Sequence, residues 1–270
     1  MIGIIGTGMM GSALICGIAK NVENNEIFVY DIDKEKANEL AKKQGFQVAD
    51  SERELAKKSN QIILAVKPQF IANVIREISD ELETKIKDKI LISVAAGVKI
   101  EEIEKNLNEK TRFNAKIIRL MPNLPALVGQ AMIALCANEN VTKDEVENVK
   151  KLLSGCGLVE QVSENLMDVV TGVSGSGPAY GFMFIEAMAD AAVLHGMPRN
   201  QAYVYAAQTL KGAAEMVLKT GNHPAALKDA VCSPGGTTIE GVCALEDGNF
   251  RYAIISAVEA ATKKSEKLGK

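Results

Sequence analysis

Two glycine-rich segments of the 270-residue chain have the residue types and spacing that bind anions. The first, Gly6-Thr7-Gly8-Met9-Met10-Gly11, has the G-x-G-x-x-G spacing that surrounds a pyrophosphate where a strand turns into a helix. The second, Ser233-Pro-Gly-Gly-Thr-Thr238, combines paired glycines with three hydroxyl side chains where a helical pattern restarts. Its hydroxyls can cap that helix, and its backbone N–H groups can converge on an anion. Taken alone, the second segment also fits an ordinary helix start. The presence of a dinucleotide motif at the first segment is what favours a ligand at the second.

An acidic residue follows the first glycine segment at the spacing of a dinucleotide site. A predicted strand runs into Asp31, 20 residues after Gly11. In this position a carboxylate accepts hydrogen bonds from the adenosine ribose. A carboxylate also repels a 2′-phosphate, so Asp31 favours NADH over NADPH, whereas Lys34 is near enough in sequence to attract that phosphate.

Three more strand ends border the same expected site, because ligands of an open parallel sheet bind beyond the carboxyl ends of its strands. Small residues after the predicted strand Ile90–Val94 leave room for a nicotinamide, and Asn123 can hydrogen-bond its carboxamide. Lys67 can contact phosphate or ribose, or simply begin a surface helix. The predicted cofactor-lining residues are Gly6, Thr7, Gly8, Met9, Met10, Gly11, Asp31, Ala65, Val66, Lys67, Pro68, Ala95, Ala96, Gly97 and Asn123.

Short β-branched runs alternate with amphipathic stretches through the first half of the chain, which indicates an α/β fold with a mostly parallel sheet covered by helices. The predicted strands are Ile2–Ile5, Ile27–Tyr30, Ile62–Val66, Ile90–Val94, Ile117–Leu120 and Ala131–Ala137. The predicted helices are Met10–Ala19, Lys34–Lys43, Glu52–Lys57, Phe70–Glu81, Glu101–Leu107 and Lys143–Leu153.

Beyond about residue 160 the sequence has no strand pattern. Long stretches at Ala179–His195, Arg199–Lys219 and Asn249–Lys267 predict helices that are apolar on more than one side. We therefore expect a domain of residues 1–160 that binds the dinucleotide and a helical domain of residues 161–270. Such helices need cover on all sides, so the second domain is expected to form an oligomer interface. The helix methionines, Met183, Met188 and Met216, are expected to fill its core.

Composition excludes several classes of protein. An apolar fraction of 47% and a charged fraction of 24% are typical of a soluble globular protein, and a formal net charge of −3 gives no reason to expect a nucleic-acid or membrane partner. Five cysteines without a C-x-x-C pair argue against a disulfide framework and a zinc site, and for a cytoplasmic location. With His195 and His223 as the two histidines, no metal centre is expected.

These segments together resemble the pyrroline-5-carboxylate reductase family over nearly the whole chain. The resemblance rests on Gly6–Gly11, Ala65–Pro68, Ala95–Gly97, Met121–Asn123, Ser174–Tyr180 and, most specifically, Val231–Glu246. It implies an N-terminal Rossmann domain, a C-terminal all-α domain for dimerisation and substrate binding, and reduction of a cyclic imino acid with NADH or NADPH. A homodimer at least is implied, and decamers also occur in the family.

The resemblance also assigns a substrate site. It implies that Ser233, Gly235, Gly236, Thr237 and Thr238 line the substrate, and we expect Thr238 to hydrogen-bond the imine nitrogen as the catalytic residue. The chain departs from the family pattern at Asp31, where some members have small hydroxyl residues. Leu124 replaces a common threonine, and Gly221 matches a glutamate that approaches the substrate in some relatives.

Two other functions fit parts of the pattern. A reductase of a hydroxy acid with the same two-domain plan generally uses a lysine or histidine base in its substrate helix, and Ser174–Tyr180 contains no lysine. A non-catalytic dinucleotide-binding subunit does not need the second anion site.

Overall fold

The computed structural model describes residues 1–83 and 88–268, and its main feature is a single eight-stranded sheet. The strands are β1 (Ile2–Ile5), β2 (Ile27–Tyr30), β3 (Gln47–Val48), β4 (Gln61–Leu64), β5 (Ile90–Ser93), β6 (Lys116–Met121), β7 (Ala131–Ala137) and β8 (Gly157–Gln161). Their spatial order is β3-β2-β1-β4-β5-β6-β7-β8. β1 to β6 are parallel, β7 is antiparallel to β6, and β8 is parallel to β7. The predicted mostly parallel α/β sheet is thereby confirmed.

Helices connect the strands and make up the rest of the chain. Those of the sheet region are α1 (Met9–Ile18), α2 (Lys34–Gln44), α3 (Glu52–Lys58), α4 (Ile71–Glu83), α5 (Ile100–Lys105), α6 (Glu109–Arg112), α7 (Lys143–Leu153) and α8 (Met167–Val170). The later helices are α9 (Gly177–Leu194), α10 (Arg199–Thr220), α11 (Pro224–Val231), α12 (Thr237–Asp247) and α13 (Phe250–Leu268). No described helix is both long enough and apolar enough to cross a bilayer.

The sheet separates two apolar layers, because neighbouring residues of a strand face opposite sides. In β1, Ile4 packs into one layer and Ile5 into the other. In β4, Ile63 and Leu64 divide in the same way, and all four side chains are at most 1% exposed. Burial on both faces explains why these parallel strands are continuous apolar runs in the sequence.

The chain forms two compact units. The first consists of Met1–Ser176 together with the residues from Ala260 onward, and the second is Gly177–Glu259. Residues 161–176 lie in the first unit because Met167 is fully buried in the core of the sheet. The Ser265 hydroxyl donates to Asp168 at 2.6 Å, which holds the end of α13 to the same unit. The functional boundary after residue 160 stays a prediction.

The second unit exposes many apolar side chains. Its buried apolar core within the described chain is small and consists of Ala189, Ala202 and Ala206. Met183 is 68% exposed and Met216 is 51% exposed, so these two do not fill the core of a single chain as expected, whereas Met188 is partly buried. Large exposed apolar surfaces are typical of regions that bind another protein or a ligand.

Candidate dinucleotide and substrate sites

The first glycine segment forms a tight turn between β1 and α1. Gly6 has a φ of +101°, and a Cβ there would lie 2.6 Å from the carbonyl oxygen of Ala65. A Cβ at Gly11 would overlap the carbonyl oxygen of Gly6. Both positions therefore require glycine, one for its backbone angle and both for the close approach of neighbouring backbone. The Ser12 hydroxyl, which sequence reasoning did not include, donates to the carbonyl of Thr7 at 2.8 Å and supports this turn.

The N-terminus of α1 has the properties of a phosphate site. Gly8 is the N-cap residue, no side chain caps the helix, and a Cβ at Gly8 would have open space around it. The first N–H groups of the helix therefore lack side-chain partners and face an accessible surface, where they can bind an anion with the help of the helix dipole. Met9 is 68% exposed beside this surface, and Met10 is half-buried.

Asp31 is joined to the glycine turn. Its Oδ2 accepts from both the backbone N–H and the hydroxyl of Thr7, and its Oδ1 accepts from the backbone N–H of Asp33 at 2.9 Å. The side chain is half-buried at the carboxyl end of β2. Next to it, Lys36 forms an ion pair with Asp33 at 2.9 Å, and this hydrogen bond lowers the pKa of Asp33. The positive charge of Lys36 is thus already matched by a carboxylate.

The other predicted strand ends lie along the same edge of the sheet. Ala65 directly follows β4, the strand next to β1, and its Cβ is 3.2 Å from where a Cβ of Gly11 would lie. Here the strand order reverses between β1 and β4, which is the crevice where ligands of such sheets bind. Val66 is half-buried, Lys67 and Pro68 are exposed, Ala95 and Gly97 are buried, and Ala96 is half-buried.

Asn123 lies at the end of β6, but both ends of its amide have protein partners. Its Nδ2 donates to the carbonyl of Ser174 at 2.9 Å, and its Oδ1 accepts from the backbone N–H of Met132 at 3.1 Å. Only 8% of the residue is exposed. The predicted contact with a nicotinamide carboxamide therefore competes with two bonds that the fold already makes.

The second glycine segment lies in the second compact unit and precedes α12. Gly235 has a φ of +67°, and Gly236 is the N-cap, where a Cβ would overlap the hydroxyl of Ser233. The prediction that a hydroxyl side chain caps this helix is wrong, because the described structure has no side-chain cap there. Because no described side chain caps α12, the N–H groups of its first turn are available to another acceptor. Ser233, Gly235 and Thr237 are exposed, whereas Gly236 and Thr238 are half-buried.

The contacts and burial of the two histidines and the buried thiols indicate structural roles. His223 is the N-cap of α11, where its Nδ1 accepts from the backbone N–H of Ala225 at 3.2 Å. His195 follows the end of α9. Burial raises the pKa of Cys136 to about 12 and that of Cys156 to about 11, so neither is a nucleophile near neutral pH.

A Rossmann-type sheet with a glycine turn at its switch point defines a dinucleotide-binding protein, and its helical unit carries a second glycine-rich turn before α12. Comparison with known proteins agrees with this class. Residues 1–97 match the family described as NADP oxidoreductase coenzyme F420-dependent, and residues 164–268 match the family described as pyrroline-5-carboxylate reductase dimerisation.

The full-length similarities are more specific. The chain is 46% identical to the pyrroline-5-carboxylate reductase of Escherichia coli, covering 100% of this chain and 98% of the relative. It is 40% identical to that of Arabidopsis thaliana, covering 99% and 95%. A pyrroline-5-carboxylate reductase structure from Coxiella burnetii aligns with a TM-score of 0.91 at 35% identity, covering 100% and 98%. The Plasmodium falciparum enzyme with NADP bound aligns with a TM-score of 0.86 at 35% identity over the same shares. This chain belongs to the pyrroline-5-carboxylate reductase family and is an NAD(P)H-dependent oxidoreductase.

Proposed function

We propose that this protein reduces 1-pyrroline-5-carboxylate to L-proline by hydride transfer from NAD(P)H, the last step of proline biosynthesis. The observation that carries the proposal is the uncapped N-terminus of α12 behind Gly235 and Gly236, in a chain whose sheet has a separate dinucleotide turn. Two anion sites of different kinds match a reaction between a dinucleotide and a small carboxylate.

The residues of the first compact unit would hold the cofactor. Gly6, Gly8 and Gly11 would admit its pyrophosphate to the N-terminus of α1, and the strand ends at Ala65 and Ala95 would border the remainder. When bound, the cofactor supplies the hydride that reduces the imine carbon. The open space at Gly8 is the observation that fits this group, since a larger residue there would fill the approach to the helix.

The substrate has a carboxylate and a C=N bond, and the site must bind the first as an anion while allowing the nitrogen of the second to become protonated. The Gly236 N–H donates to the Ser233 carbonyl at 3.0 Å, so the N–H groups of Thr237 and Thr238 are the ones that bind the carboxylate, without placing a full positive charge beside the imine. This matters because the nitrogen must be protonated before or during hydride transfer. Thr238, half-buried in the first turn of α12, hydrogen-bonds that nitrogen and orients the ring. Since a cyclic imine is itself basic, positioning supplies much of the acceleration and no acid of tuned pKa is required.

NADH is the proposed preferred cofactor. A 2′-phosphate at the end of β2 would meet the carboxylates of Asp31 and Asp33, and Lys36 is already paired with Asp33. Lys34 is exposed and is the remaining nearby cation among the residues described after β2. The ratio of kcat/KM for NADH and NADPH measures this preference, and a large ratio in favour of NADPH would contradict it.

A purified sample mixed with NADH and 1-pyrroline-5-carboxylate tests the activity directly. We expect nicotinamide absorbance to fall in proportion to the proline formed. Hydroxy acids with NAD are the control for the rival reductase and should leave absorbance unchanged. Binding of NADH without turnover of any of these substrates would instead support a non-catalytic dinucleotide-binding subunit.

A homodimer, and a larger assembly such as a decamer, are also part of the proposal. The exposed apolar side chains of α9, α10 and α13 support it, among them Phe182, Val204 and Ile255. A strictly monomeric mass in solution at micromolar concentration would overturn it. A cytoplasmic location is proposed as well, since all five cysteines are free thiols, and cell fractionation tests it.

A further inference from the structure

A π-helical turn lies on the carboxyl end of β6. It comprises Thr171–Gly175 and is closed by the N–H of Ser176, which donates to the carbonyl of Thr171 at 2.8 Å. The Met121 methyl group is 2.6 Å from the position that a Cβ of Gly175 would occupy. The turn therefore lies against the last residue of β6, at the edge of the sheet where ligands bind in this fold.

The turn is fixed from its N-terminal side by the core of the sheet. Met167, one helical turn earlier, is fully buried, and its carbonyl accepts from the Thr171 hydroxyl at 2.8 Å. The Ser174 hydroxyl donates to the carbonyl of Val170 at 3.1 Å. π-helical turns are rare, and those that occur are frequently found at functional sites. Contacts with neighbouring groups are needed to stabilise their wider turn.

Asn123 supplies the corresponding restraint from the sheet. Its donor binds the Ser174 carbonyl inside the turn, while its acceptor binds the first residues of β7 through Met132. One nearly buried amide thus connects β6, β7 and the turn. An unpaired amide or carbonyl here would carry a desolvation cost, so the fold favours this geometry over a loose turn.

We propose that Asn123 is a positioning residue for the cofactor: through the Ser174 carbonyl it holds the Thr171–Gly175 turn beside Met121, where the nicotinamide end of the dinucleotide binds. It acts through the turn and does not need to contact the carboxamide. This inference rests on the proposed function for the identity of the cofactor and assigns a different role to Asn123 from the one the sequence indicated.

The substitution Asn123→Asp isolates the bond in question. It keeps an oxygen for the Met132 N–H and replaces the donor to Ser174 with a second oxygen. Asn138→Asp is the control, because Asn138 also accepts from a backbone N–H, that of Ile117, and donates to a backbone carbonyl, that of Ala115. Its amide donates to the Glu104 carboxylate as well, so the aspartate is expected to cost more stability there. Asn138 lies at the amino end of β6, at the opposite edge of the sheet. Asn123→Ser, which is smaller and uncharged, is measured in parallel in case the aspartate variant does not fold.

Three measurements on the full-length protein decide the question: the Kd for NADH from fluorescence titration, hydrogen exchange of the peptide containing Ser176, and Tm. We expect Asn123→Asp to raise the Kd about tenfold or more and the exchange of that peptide about tenfold, the scale of one lost buried hydrogen bond. Asn138→Asp should lower Tm and change neither. Unchanged Kd and exchange in Asn123→Asp, or equal changes in Asn138→Asp, would overturn the inference. Wild-type protein that binds NADH but does not reduce the imino acid would overturn the proposed function alone.

Discussion

The backbone N–H of Thr7 donates to Oδ2 of Asp31 at 2.6 Å, and the Thr7 hydroxyl donates to the same oxygen at 3.1 Å. Thr7 is only 5% exposed. The carboxylate at the end of β2 thus stabilises the glycine turn after β1, in addition to any contact with a ribose. The same residue therefore affects both how well the turn is formed and which dinucleotide it accepts.

Replacing Asp31 with serine should change cofactor preference. Removing the carboxylate removes a charge that repels a 2′-phosphate, so the ratio of kcat/KM for NADPH over NADH should rise about tenfold, which corresponds to about 1.4 kcal/mol. Affinity for both cofactors should fall because Thr7 loses its partner. Steady-state kinetics with each cofactor checks both effects. Asp33→Ser separates the two effects, because it removes the other carboxylate near the expected 2′-phosphate but leaves both Thr7 bonds to Asp31 in place, so its ratio should rise without a loss of affinity for NADH. An unchanged ratio in Asp31→Ser would remove Asp31 from selectivity.

The glycines of the turn should respond differently to alanine. Gly11→Ala should unfold or strongly destabilise the protein, because its Cβ would overlap the Gly6 carbonyl and separate α1 from β1. Gly8→Ala has open space and should keep its Tm within a few degrees, yet lose cofactor affinity because the methyl group occupies the phosphate approach. Thermal unfolding and NADH titration of the two variants separate these effects. Equal loss of Tm in both variants would contradict the assignment.

Much of the fold follows from local sequence signals. Ala131–Ala137 and Lys143–Leu153 form as predicted, the helix with a capping box between Thr142 and Glu145. The strand β3 was missed because Gln47 and Val48 are both exposed and give no apolar pattern. The strand β8 was missed because it lies where the predicted domain boundary was placed and alternates weakly. It is an edge strand with mostly exposed residues, and its place in the sheet depends on pairing with β7, which a local pattern does not reveal.

The features of the candidate site also differ in how well the sequence alone predicts them. Positions that require glycine could be predicted, since turn angle and close backbone approach restrict the residue type itself. The partners of Asn123 could not, because Met132 and Ser174 reach it only through tertiary structure. The cap of α12 was predicted from residue type, and the helix instead begins one residue after Gly236 without a side-chain cap.

Buried thiols should make the protein less stable at alkaline pH. Burial is the first cause that raises the pKa of Cys156 from 9.0 to about 11, and its Sγ donates to the carbonyl of Leu14 at 3.4 Å. Between these values the unfolded chain has released the proton and the folded chain still binds it, so the free energy of unfolding falls by about 1.4 kcal/mol per pH unit. Below pH 9 this contribution is fully present.

Chemical denaturation of Cys156→Ala at several pH values between 8 and about 10.5 checks this sign. The variant should start less stable, because it leaves a cavity, but should lose stability less steeply as pH rises. Cys136, with a pKa of about 12, accounts for part of the slope that remains. Cys243→Ala is the control, because that thiol is exposed and should leave the slope unchanged. Parallel slopes for wild type and Cys156→Ala would show that burial of this thiol does not control alkaline stability.

Thr238→Ala should lower kcat/KM by about 1–3 kcal/mol, or roughly 5- to 150-fold, the scale of one hydrogen bond in a buried site. The loss should fall mainly on kcat, because a bond to the nitrogen strengthens as charge develops there during hydride transfer. Thr238→Ser keeps the hydroxyl and should retain most of the activity, whereas Thr237→Ala should raise KM more than it lowers kcat. The hydroxyl titrates far above the assay range, so the alanine variant should keep the wild-type pH profile and lose rate at every pH. Kinetics of Thr238→Ala that match wild type in both kcat and KM would exclude this hydroxyl from the reaction and leave carboxylate binding as the role of the segment.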